Sequence, residues 1–153
     1  MNYENITRSY YNNQINDLNG YINSARAGAP WNEEYQEEAI MLLKFFMKIF
    51  KNITDKDVQE NIFDYMGEIV ANFSGKDIEE CVDEIVVLIE NSELTDWELA
   101  NLLLVISWTF DEKYKEFMCR YQEYDDEYVK DVVNEYLYDL KIYEEKREEK
   151  NQW

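Results

Sequence analysis

Residues 94–110 read LTDWELANLLLVISWTF, and this stretch decides the fold class. Thr95 followed by Glu98 predicts a capping box, in which each side chain bonds the other residue's backbone N–H. Leu94 before the cap and Leu99 after it are spaced for a hydrophobic staple. The run that follows is apolar on nearly every side: Leu99, Ala100, Leu102, Leu103, Leu104, Val105, Ile106 and Trp108. A surface helix carries one apolar stripe, whereas a helix apolar all round is enclosed. A membrane span needs about 20 apolar residues, and Asp96, Glu98 and Asn101 interrupt this one. The expectation is the central helix of a soluble domain, with the rest of the chain packed around it.

The remaining sequence agrees with an all-α fold. A length of 153 residues fits a single helical domain over 1–153 with a real core. The chain is 46% hydrophobic and 16% aromatic, too apolar to stay disordered. One proline and four glycines are few breakers, which favours long helices over short strands and turns. No apolar segment follows Met1, so no secretory signal is expected, and the predicted location is cytoplasmic. Cys81 and Cys119 fall within helical patterns and read as free buried thiols in a reducing compartment.

Toward the N-terminus, Ile6, Tyr10, Ile15, Leu18, Ile22 and Ala25 predict one Asn-rich helix over 3–27, with Gly20 its weak point. Its tyrosines, Tyr3, Tyr10, Tyr11 and Tyr21, are expected to pack in the core, with a self-association surface as the alternative use. Gly28-Ala29-Pro30 ends that helix, and Pro30 suits the first turn of the next. Met41, Leu42, Phe45, Phe46, Ile49 and Phe50 form the face of a second helix over about 31–51. Glu33, Glu34, Glu37 and Glu38 at its start and Lys44, Lys48 and Lys51 at its end complement the helix dipole. Thr54 or Asp55 caps a third helix that Gly75 ends in a left-handed conformation. Ile78, Val82, Ile85 and Ile89 mark a fourth. Beyond the central stretch, Asp111 caps a short helix with Tyr114, Phe117 and Met118. Asp125 or Asp126 opens a last one with Val129, Val133, Tyr136, Leu140 and Tyr143. Residues 144–153, EEKREEKNQW, form a charged tail expected to fray, and its Trp153 has no evident role. About seven helices with short connections can close as a compact bundle or stack as HEAT-like helix pairs.

Charge narrows the function. The net charge is −19. Such a field repels phosphates, so neither nucleic acid nor an anionic membrane is an expected partner. Up to Pro30 the acids Glu4 and Asp17 balance Arg8 and Arg26, so the excess lies entirely beyond. From Asp77 to Glu98 there are nine acidic residues and no Lys or Arg.

Histidine is absent, which removes Ser-His and Cys-His nucleophilic pairs, His-liganded zinc and the commonest general base. Glycine-rich phosphate loops, G-x-S-x-G, C-x-x-C and H-E-x-x-H are absent too. No catalytic residue, metal site or cofactor is therefore assigned, and no enzyme is expected. Glu34 with Glu37 and Glu80 with Asp83 have the three-residue spacing that places two carboxylates on one helical face, as Mg²⁺ requires. All-helical nucleoside triphosphate pyrophosphohydrolases use related pairs. With 34 acids in the chain such pairs arise by chance, and a solvated face is the simpler account.

The informative acids are those without a structural reason. Asp131, Glu135 and Asp139 stand four apart beyond the first turn of the last helix, and only Lys130 nearby opposes them. Each like-charge step costs about 0.2–0.5 kcal/mol. Glu79 with Asp83 and Glu80 with Glu84 repeat the pattern. Such rows make sense if a basic partner completes them. Tyrosine adds to this, because Val129, Val133 and Tyr136 face the core and leave Tyr124, Glu127, Asp131, Glu135 and Tyr138 opposite. Tyrosine is favoured at interface hot spots and stacks on Arg or Lys. The expected contact surface is therefore Glu79, Glu80, Asp83, Glu84, Tyr124, Glu127, Asp131, Glu135 and Tyr138.

The stretch DWELANLLLVISWTFDEKYKEFMCRYQEYDDEYVKDVVNEYLYDLK, over 96–141, reads like HEAT-like helix pairs. With the acidity and the missing active site, it resembles the small acidic, all-helical immunity proteins of bacterial polymorphic-toxin and contact-dependent growth inhibition systems. The resemblance covers residues 54–141. It implies a stoichiometric inhibitor of a basic toxin domain, often a nuclease, whose phosphate-binding cleft would be covered by carboxylates. A phage inhibitor that mimics nucleic acid against a host defence enzyme predicts the same surface. The Mg²⁺-dependent pyrophosphohydrolase predicts instead that Glu34, Glu37, Glu80 and Asp83 converge in one pocket. A helical scaffold subunit predicts no consequence of neutralising the acidic rows.

Overall fold

Asparagine at a left-handed position starts the architecture. Asn13 has φ +56°, and Asn12, Asn13 and Gln14 donate their backbone N–H groups back to Arg8, Tyr10 and Ser9. Asparagine tolerates this conformation better than other side-chain-bearing residues. The expected single N-terminal helix is therefore two, α1 (Asn2–Tyr11) and α2 (Ile15–Gly28), with the break at Asn12-Asn13. Gly20 lies inside α2.

The computed structural model describes residues 2–151, so Trp153 and the end of the charged tail lie outside the described residues. Within them the protein is all-α, 81% helical and without strands. The further helices are α3 (Gln36–Ile49), α4 (Lys56–Asn72), α5 (Lys76–Asn91), α6 (Asp96–Ser107), α7 (Lys115–Cys119) and α8 (Glu127–Asn151). None of them is long and apolar enough to cross a membrane.

The chain divides into two compact units, Met1–Val87 and Leu88–Trp153. In the first, α1 packs on α2 and α3, and α4 packs on α2 and α3. Asp55 caps α4 through the backbone N–H groups of Asp57 and Val58. Ile62, Tyr65, Met66 and Ile69 of α4 are completely buried. The start of α3 corrects the role of Pro30. A 3-10 turn over Glu33–Tyr35, capped by the Asn32 side chain, precedes the helix and leaves Pro30 outside it. Gly75 has the positive φ expected of it, +113°, but its carbonyl accepts the first bond of α5 from Glu79. Tyr3 and Tyr10 pack edge-on against Phe45, at 6.2 and 5.6 Å between centroids, while Tyr11 and Tyr21 stay exposed.

In the second unit α6 and α7 pack on α8. The capping box forms as read, with the Thr95 N–H 3.0 Å from Glu98 Oε1 and the Glu98 N–H 3.1 Å from Thr95 Oγ1. Leu102, Leu103 and Ile106 are completely buried, each worth about 1.5–3 kcal/mol in transfer from water. The helix stops at Ser107, earlier than the apolar run suggested. Phe110 then takes φ +50°, a left-handed conformation that costs a bulky residue about 1–2 kcal/mol. In consequence Trp108, expected in the core, is 45% exposed and Phe110 is 44% exposed.

Asp111 caps the turn before α7 and Asp126 caps α8, accepting from Lys113 N–H and Val129 N–H. The charged segment continues α8 as helix to Asn151, in keeping with the high helix propensity of Glu, Lys and Arg. Cys81 is buried, but Cys119, expected to be buried, is exposed.

Candidate protein-binding faces

The α8 face follows from its register. Val129, Val132, Val133, Tyr136 and Leu140 are buried, which leaves Glu127, Asp131, Glu135 and Tyr138 exposed on the other side. Tyr138 is 63% exposed and follows Glu135 by three residues, one helical turn on. Lys130 Nζ reaches Glu127 Oε1 only at 4.0 Å, on an exposed pair. Surface pairs of this kind contribute little. Among the described residues neither Asp131 nor Glu135 has an ion-pair partner. Among the described residues no ion pair therefore relieves Asp131 or Glu135.

Tyr124 is placed differently from the expectation. It precedes α8, so helical periodicity does not position it. Its hydroxyl donates to Asp96 Oδ1 at 3.0 Å and its ring lies 5.9 Å from that of Tyr121. The hydrogen bond to Asp96 raises its pKa, with burial adding to the effect. Tyr124 thus ties the turn before α8 to the start of α6.

The α5 face belongs to the first unit. Ile78, Cys81, Val82 and Ile85 are buried; Glu79, Glu80 and Glu84 are exposed and Asp83 is half-buried. Burial pushes the Cys81 thiol above its ordinary pKa, so it stays protonated. A groove of about 620 Å³ runs between α3 and α5, lined among others by Glu33, Glu37, Met41, Lys44, Asp77 and Glu80. Of the four carboxylates tied to the Mg²⁺ alternative, Glu37 and Glu80 line it and Glu34 and Asp83 do not. Among the described residues no three His, Cys, Asp or Glu side chains lie close enough to hold a metal ion. The nine residues expected to form one contact surface are split between the units, Glu79, Glu80, Asp83 and Glu84 in the first and the other five in the second.

Two features escaped the sequence. The first is a polar cluster linking α2 to α4. Arg26 Nε lies 3.1 and 3.0 Å from the two Glu68 carboxylate oxygens, and Nη2 lies 2.6 Å from Oε1. Nη1 donates to Asn61 Oδ1, and Asn61 Nδ2 donates to Asn19 and Asn23 Oδ1, both at 2.8 Å. The bond to Glu68 raises the Arg26 pKa against the opposing effect of burial. Asp64, 3.8 Å from Arg26, is pushed up by burial, with Arg26 opposing. Deeper in the same unit the hydroxyls of Tyr35 and Tyr65 hydrogen-bond, and burial holds the Tyr65 phenol protonated. Every polar group here is matched, which marks the cluster as structural. The second feature is the exposed pair Trp108 and Phe110, edge-to-face at 6.4 Å between centroids. No family model matches the chain, and neither does any curated protein or solved structure.

Proposed function

We propose that the protein is a non-catalytic, cytoplasmic inhibitor that binds a basic protein. The expected target is a cognate bacterial toxin domain with nuclease activity, held through acidic faces that cover its nucleic-acid-binding cleft. The observation that carries the reading is the α8 face, where exposed Glu127, Asp131 and Glu135 run up to an open Tyr138 one turn on. Fixed carboxylates of one sign attract a basic surface over the Debye length and speed its association. An exposed tyrosine at the end of their row supplies area for a hot spot at low entropic cost.

The test is isolation of the partner on tagged protein at low salt, repeated at high salt, followed by titration. A single basic protein whose retention falls with salt is expected. The double variant Asp131→Lys with Glu135→Lys should weaken it by at least about tenfold, equivalent to about 1.4 kcal/mol, with helicity unchanged. Unaltered affinity removes α8 from the interface. A second reading draws on the groove that Glu37 and Glu80 both line. If no basic protein is retained, Mg²⁺-dependent nucleotide hydrolysis lost on Glu37→Gln with Glu80→Gln would support the pyrophosphohydrolase instead.

A further inference from the structure

The end of α6 carries a feature that the acidic-face reading does not use. Trp108 and Phe110 are each nearly half exposed, on a segment whose φ at Phe110 is +50°. They line a cleft of about 70 Å³ together with Leu104, Tyr136, Glu135 and Asp139. Small-molecule sites are several times larger, about 300–1,000 Å³, so this cleft suits the end of one side chain. Its walls include three aromatic rings and two carboxylates, and neither carboxylate has an ion-pair partner among the described residues.

That combination selects a guanidinium. Its planar cation stacks on aromatic faces and offers paired donors to carboxylates, where an ammonium offers only a point charge. The adjoining groove of about 360 Å³, which shares Phe110, already holds such a contact. The Arg147 guanidinium lies 5.5 Å from the centroid of the Tyr143 ring.

We infer that the cleft lined by Trp108 and Phe110, with Glu135 and Asp139, is the docking point for one arginine side chain of the basic protein partner. The inference rests on the binding reading above and names a residue pair outside the acidic rows as its anchor. Phe110 suits a test because glycine favours its backbone conformation. Phe110→Gly removes the ring while relieving the backbone.

The experiment is ¹⁵N NMR titration with an acetylated, amidated tri-arginine peptide at low salt, with tri-lysine and tri-citrulline peptides alongside. The Trp108 indole N–H, assigned with Trp108→Phe, is expected to shift saturably with tri-arginine. Tri-lysine should act several-fold more weakly and tri-citrulline not at all. Phe110→Gly should lower the peptide affinity by about threefold or more, the scale of an exposed cation–π contact, with the melting temperature unchanged or raised. Shifts confined to Glu127, Asp131 and the α5 acids, with Trp108 unmoved, would overturn the inference and leave the acidic-face reading standing. No saturable shift with any cationic peptide would overturn both.

Discussion

The two units carry almost the same charge and differ in what accompanies it. Up to Val87 there are seven basic and sixteen acidic residues, a net of −9; from Leu88 there are eight and eighteen, a net of −10. Besides the exposed acids of α5, the first unit holds a part-buried polar cluster, where Arg26, Asn61 and Glu68 satisfy one another. The second relies on an apolar α6 and leaves its unmatched acids outside, beside exposed Trp108, Phe110 and Tyr138. Net charge therefore says little about where binding occurs. On the proposed reading, the contact surface is distinguished by charge without an ion-pair partner next to exposed aromatic area.

The comparison can be broken first at α6. Leu103→Ala removes a completely buried side chain and should cost about 3 kcal/mol in urea unfolding. A cost near that of a surface substitution would mean that α6 is not the support of its unit. In the first unit the corresponding support is polar. Arg26→Met keeps the aliphatic stem and strands Glu68 and Asn61, with an expected loss of about 2 kcal/mol because the pair is only partly shielded. A variant as stable as the parent would reduce the contrast between the units to one of surface alone.

Smaller effects sharpen it. Glu135→Gln relieves the like-charge steps to Asp131 and Asp139 and should raise stability by about 0.5 kcal/mol while weakening partner binding. A gain in stability with no loss of binding would show a row kept for solubility. The smallest effect is at Asp64, whose carboxyl burial holds above its ordinary range. In the window between the ordinary and the raised value the folded chain binds the extra proton, so this group's contribution to stability falls as pH rises. Asp64→Asn should flatten that slope, seen as a smaller difference between urea midpoints at acidic and neutral pH. A slope that steepens would reverse the assignment and make the Arg26 attraction dominant.

Local signals in the sequence were legible wherever the partners are close. The Thr95–Glu98 box and the caps at Asp55, Asp111 and Asp126 involve neighbours two or three residues apart. The open side of α8 followed from steps of four and three, because one buried stripe dictates the other. The Asn13 break was not distinguishable in a segment crowded with asparagines. Arg26 and its partners lie 35 and 42 residues apart, and no local pattern joins them. Trp108 misled because hydrophobicity argues for burial, whereas burial also needs the helix to continue, and α6 ends one residue before it. Periodicity likewise misplaced Tyr124 because it was extended into a turn.

The contrast between the thiols has a practical consequence. Cys81 is enclosed and held protonated, while Cys119 stands at the surface at the end of α7. Maleimide reagents consume thiolate and need access, so the folded chain offers them one attachment point. A dye or a sensor surface coupled at Cys119 would sit in a defined place without mutagenesis, and the unlabelled Cys81 would report unfolding by becoming reactive.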